Sequence, residues 1–193
     1  MARPRTFVEE EVLQRAVKLF WEKGFHATSM QDLVERLQIN RASLYATFGD
    51  KRQLFERTMQ YYQTVSHQRL QQHLWAYEQP QLAFRELLYQ TAAQTCQDPK
   101  RKGCFFVNVT TELAARDESL LTFLSKNRLQ TEQIFLDYLR ERQAQGYLAT
   151  ATDLPALASL LFTFYNGLQV TTKLRPELAK IQAMIDVFVR QLA

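Results

Sequence analysis

Glycine and proline are scarce, at 5 each in a chain of 193 residues. So few turn formers exclude a protein of many short strands, and a hydrophobic content of 46% points to long helices around a sizeable core. Cysteine is rarer still, at 2, which excludes a disulfide-stapled scaffold. No apolar run approaches the roughly 20 residues that span a bilayer, and residues 1–7 hold no hydrophobic signal segment. A cytoplasmic protein is expected. Also missing are a glycine-rich phosphate loop, a nucleophile elbow and a His-Glu-x-x-His helix. His26, His67 and His73 lack the i, i+4 spacing that lets two histidines share a metal from one helix face. Neither an enzyme nor a cofactor is expected. A net charge of +4 suits a nucleic-acid partner without demanding one, because Glu9, Glu10, Glu11 and Glu22 are interleaved with the cations.

What the chain does have is a dense run of helix signals between residues 28 and 54. Thr28 and Ser29 are both candidate N-caps, each followed three residues later by a side chain, Gln31 or Asp32, that can reach back. Met30, Leu33, Val34 and Leu37 then share one face, and Ile39 sits in a turn. Asn40 can cap a second helix in which Leu44 and Phe48 point inward while Arg41, Ser43, Tyr45 and Thr47 have sides that face out. Gly49 ends it, and Asp50, with Gln53 at its third position, can cap a third. Lys51 and Arg52 fall in that third helix's first turn, where cations oppose the dipole, so an external anion such as phosphate accounts for them. This is the outline of a helix-turn-helix. Spacing alone leaves two readings open, a DNA reader and a helical protein-interaction module whose cations are merely solvated.

Residues 9–55 also resemble the DNA-binding domain of the TetR family of transcriptional regulators. The likeness rests on a first helix ending near Phe20, then Lys23, Gly24 and Phe25, then Thr28 and Ser29, Asp32 and Leu33, then Ser43, Leu44, Tyr45, Phe48, Lys51 and Leu54. The resemblance implies that the helix from Arg41 enters the major groove, with Arg41, Ala42 and Ser43 nearest the base edges and Thr47 beside them. It also implies that Tyr45 and Lys51 hold the DNA backbone, and that Thr28 and Ser29 bring a hydroxyl and helix amides to phosphate. One departure is Gln38, which stands in the turn where family members often have glycine. A left-handed backbone there costs a glutamine about 1 kcal/mol. Arg3 and Arg5, ahead of the first helix, are candidates for extra phosphate or minor-groove contact.

The remainder reads as helix after helix. Residues 9–23 place Val12, Leu13, Ala16, Val17, Phe20 and Trp21 on one stripe, and residues 50–75 form a long helix leading out of the reader. Further helices are expected over 81–97, 104–115, 118–145, 154–173 and 176–192, with Pro176 in a first helical turn. The expected fold is therefore all-α, a helix-turn-helix domain over 1–52 and a helical regulatory and dimerisation domain over 53–193. The last two helices are so apolar that one monomer buries only part of them, and Gly167 costs its helix about 1 kcal/mol, which a close approach by another helix would explain. By the resemblance, these helices pair across a two-fold axis in a homodimer.

Family members usually take a small-molecule inducer in the larger domain. Candidate contacts here are Cys104, Phe105, Asn108, Glu112, Phe162, Tyr165 and Asn166. Cys104 follows Lys100, Arg101, Lys102 and Gly103 at a helix start, where basic neighbours and amides favour a reactive thiolate. The stretch GCFFVNVTTELA is similar to a branch of the family in which some members respond to reactive compounds. A buried, inert Cys104 is the competing reading.

Overall fold

The computed structural model describes residues 7–174 and 176–192; Arg3 and Arg5 lie outside them. These residues form nine α-helices: α1 (Glu9–Lys23), α2 (Met30–Leu37), α3 (Arg41–Phe48), α4 (Lys51–Trp75), α5 (Pro80–Gln97), α6 (Phe105–Leu113), α7 (Glu118–Ala144), α8 (Leu154–Thr171) and α9 (Leu178–Val189). Short 3-10 turns extend α6, α8 and α9, and no strand occurs among the described residues. The chain divides into two compact units, Met1–Ser66 and His67–Ala193, with α4 running through the division.

In the first unit, Ala16, Leu33, Leu37, Leu44, Leu54 and Phe55 are completely buried. Phe55 meets Phe20 edge-on at 5.0 Å and Phe25 at 4.8 Å, so aromatic packing closes this small core. In the second unit, Phe84 packs edge-on against Phe135 and Tyr138, and the Tyr138 hydroxyl donates to the Tyr77 carbonyl at 2.9 Å. Leu88, Leu139, Leu161 and Ile185 complete that core.

Pro176 is not in a helical turn as the sequence suggests. Glu177 is extended, with φ −66° and ψ 124°, and its carbonyl accepts the amides of Lys180 and Ile181, so helical bonding begins only after it. Cys104 likewise stands one residue before α6, as its N-cap.

Candidate nucleic-acid interface and regulatory site

The two short helices α2 and α3 are held by their caps rather than by their length. Ser29 accepts the Asp32 amide at 3.1 Å while the Asp32 carboxylate accepts the Ser29 amide and hydroxyl, both at 2.8 Å. Lys23 donates to the other Asp32 oxygen at 2.6 Å. That ammonium, followed by the Ser29 amide and hydroxyl, holds the Asp32 carboxyl far below its usual range. Asn40 accepts the Ser43 amide at 2.8 Å, and Asp50 and Gln53 exchange a reciprocal pair of bonds at the start of α4.

The turn between α2 and α3 carries Gln38 in the left-handed region, at φ 57°. Arg15 of α1 braces it, its guanidinium donating at 3.1 Å to both the Leu37 carbonyl and Gln38 Oε1. Arg57 of α4 plays the matching part at the other end of α3. Its Nη1 donates to the Thr47 carbonyl at 2.9 Å, its Nη2 pairs with Glu9, and its guanidinium lies 4.9 Å over the Phe48 ring. Neither brace is visible in the sequence pattern, because each pairs residues of different helices.

With α3 fixed at both ends, Arg41, Ala42, Tyr45 and Ala46 are exposed, and Ser43 and Thr47 flank them half-buried. The Arg41 guanidinium lies 5.9 Å over the Tyr45 ring. Ala46 was not among the residues expected, yet it is one helical turn from Ala42 on the same open side. Ser29 is exposed at the start of α2. The Lys51 ammonium rests 4.5 Å over the Phe25 ring and donates to the His26 carbonyl at 3.5 Å, which anchors it to the loop before α2. Thr28 departs from expectation. It is 1% exposed, and its hydroxyl donates inward to the Gly24 carbonyl at 2.6 Å, so it supports the loop instead of meeting a partner.

Two of the expected inducer contacts are hydrogen-bonded within the chain. Asn108 donates to the Lys102 carbonyl at 2.7 Å and accepts from Lys173 at 2.9 Å, and Asn166 donates to the Phe162 carbonyl at 2.9 Å. Glu112 is on the surface and Phe105 is core. Phe162 is half-buried against the main cluster. Cys104 and Tyr165, by contrast, do come together, near enough for a charge on one to act on the other. The Tyr165 pKa is raised, first by burial and then by its closeness to Cys104, with Thr91 opposing. The basic run before Cys104 is partly spoken for. Asp98 binds the Lys100 and Lys102 amides and the Lys102 ammonium, the last at 3.1 Å, and although burial pushes its carboxyl up these contacts outweigh it and leave its pKa lowered.

Residues 12–58 match the family model for bacterial regulatory proteins of the tetR family, and residues 84–189 match that for the tetracyclin repressor-like C-terminal domain. The chain belongs to the TetR family. It is 32% identical over 189 residues, 97% of each chain, to the uncharacterised HTH-type transcriptional regulator YezE of Bacillus subtilis (strain 168). It is 28% identical to the HTH-type transcriptional repressor ComR of Escherichia coli (strain K12), covering 97% of this chain and 90% of that one. A cysteine mutant of the TetR family regulator CifR, solved with a 26 bp double-strand operator, superposes with a TM-score of 0.83 at 31% identity over 99% of this chain and 100% of that one. These relatives are transcriptional regulators and not enzymes.

As a TetR-family protein, the chain presents a second surface of interest in its C-terminal unit. Leu160 and Val170 of α8 and Met184 and Val187 of α9 are exposed, and Phe164 stacks on Phe188 at 3.8 Å between them. A Cβ added at Gly167 would meet nothing within 4 Å. Among the described residues nothing makes the close approach that would justify this glycine. No described helix is long and apolar enough to cross a membrane.

Proposed function

We propose that this TetR-family regulator is a repressor that sits as a homodimer on a palindromic operator in the cytoplasm, and leaves it when a small molecule, or modification of Cys104, acts on the larger unit. Residues 1–52 are the DNA-binding domain, and residues 53–193 serve regulation and dimerisation. The observation that carries the reading is the outward face of α3, capped by Asn40 and braced by Arg57, within the segment matched to the family's DNA-binding half. Arginine reads guanine in the major groove through paired donors, and an alanine methyl packs on a thymine methyl. Arg41 and Ala42 therefore choose bases, with Ser43 and Thr47 alongside. Ser29, Tyr45 and Lys51 hold phosphates, while Thr28 fixes the loop that presents Ser29. The exposed apolar face of α8 and α9 joins the two copies.

The test begins with selection of bound sequences from random duplex DNA. A palindrome is expected, with half-sites about 34 Å apart or a helical-turn multiple of that. Arg41→Ala then costs about 1–3 kcal/mol and relaxes preference at one base, whereas Lys51→Ala weakens all sequences alike and lowers the salt slope by about one. Tyr45→Ala belongs with Lys51→Ala. A chain that enriches no sequence, or whose low-salt binding ignores all three substitutions, is a protein-interaction module and not a reader.

A further inference from the structure

Among the described side chains, two buried polar atoms find no partner: Arg142 Nε and Gln169 Nε2. Arg142 has other bonds, since its Nη1 donates to Gln145, its Nη2 faces Glu141, and its guanidinium lies over the Tyr138 ring. One idle donor among five is a small loss. Gln169 is different. It is 6% exposed, and its amide nitrogen lies idle on the inner stripe of α8 that also carries Leu161, Tyr165 and Leu168. An unmade hydrogen bond in such a place destabilises the fold, and a methionine of similar shape would avoid the loss.

The surroundings say what the amide serves. Tyr165 is one helical turn away, and its ring lies 6.3 Å from Phe135 and edge-on to it. The Thr91 hydroxyl, which donates to the Leu87 carbonyl at 2.8 Å, lies beside the Tyr165 phenol. The Gly103 turn presses on α8 at the same point, where a Cβ on Gly103 would stand 3.2 Å from the Gln169 carbonyl. Cys104 follows directly. The site thus offers an uncommitted neutral donor with an aromatic wall and a thiol nearby.

We infer that Gln169 is the recognition donor for the inducer, and that the inducer is a neutral small molecule presenting a carbonyl oxygen on an apolar body. This deepens the regulatory half of the proposed function and rests on it. A carboxylate is disfavoured, because a charge brought among the buried Leu161, Leu168 and Gln169 loses its water. An alkane fits the wall but leaves the amide unmet.

Two measurements on the full chain test the inference. The side-chain amide pair of Gln169, identified by its loss in Gln169→Met, is followed by ¹⁵N NMR as cyclohexanone and acetophenone are added, beside methylcyclohexane, ethylbenzene and benzoate. Each ketone is expected to move that pair and to bind about tenfold more tightly than its hydrocarbon, a margin that Gln169→Met erases. Gln169→Met is also expected to raise the melting temperature of the ligand-free protein by a few degrees, as removal of a site residue does and removal of a structural bond does not. Amide signals that ignore both ketones, hydrocarbons or benzoate that bind as well as the ketones, or a lowered melting temperature would each overturn it. Operator binding is followed in the same samples. Loss of carbonyl recognition with operator binding intact defeats this inference alone, whereas absence of operator binding defeats the repressor reading.

Discussion

Gln38 holds φ 57°, a conformation that costs a side chain about 1 kcal/mol and a glycine almost nothing. Arg15 offsets that cost through two bonds to the turn, one of them to the Gln38 side chain itself. The two effects separate in a double-mutant cycle. Gln38→Gly is expected to stabilise the Arg15→Ala protein by about 1 kcal/mol, and to stabilise the wild type by less, because there it also removes the Arg15 contact. Urea denaturation followed by circular dichroism reads both, and equal gains in the two backgrounds would show that the brace is idle. His67 makes a second prediction at this scale. The Thr131 hydroxyl donates to the Asn127 carbonyl at 2.9 Å, so at 3.0 Å it can only accept from His67 Nε2. Burial lowers the His67 pKa below its ordinary 6.5, and a bond with Asn127 only partly opposes this. The folded state therefore favours the neutral ring. Stability from this site is fully present above about pH 6.5 and is lost as pH falls through the lowered folded value. His67→Gln keeps a donor without the titration, so its unfolding free energy should fall less between pH 7 and pH 5 than that of the wild type.

Helix by helix, the sequence was most readable where a cap or breaker stands at a boundary. Ser29 with Asp32, Asn40, and Asp50 with Gln53 mark starts that the structure keeps, and Gly49 and Gly146 mark ends, both at positive φ. Pro176 misled because proline fits equally well just outside a helix. The outward side of α3 was legible for Arg41 and Tyr45 because the inward Leu44 and Phe48 fix the phase of a 3.6-residue helix. Asn108, Asn166 and Thr28 were not legible as structural residues, since their partners are carbonyls that composition cannot reveal. Gln169 was hidden because an unmet bond leaves no pattern at all. α8 carries the prediction at this scale. Gly167 lies among exposed apolar residues with open space before it, so Gly167→Ala should strengthen the isolated helix by about 1 kcal/mol while its methyl weakens association. Gly167→Arg should give a folded monomer. Sedimentation velocity checks both, and an unchanged dimer in the two variants would move the interface elsewhere.

For the whole molecule, a dimeric reader gains affinity from joining two weak events. Once one half-site is held, the second binds from a high effective concentration, which raises overall affinity by roughly 10² to 10⁴ over a single half-site, provided geometry lets both engage. DNA supplies a direct test of that condition, because about 10–10.5 bp make one turn. Inserting 5 bp between the half-sites of a selected operator turns one of them to the opposite side of the duplex without altering a single contacted base. Binding should then fall to the level of an isolated half-site, and anisotropy titration at fixed salt would show the loss. The Gly167→Arg monomer should bind the parent and the inserted operators equally, since it has no second reader to misplace. A wild-type protein equally indifferent to the insertion would mean that each chain reads alone. The apolar face of α8 and α9 would then serve something other than DNA recognition.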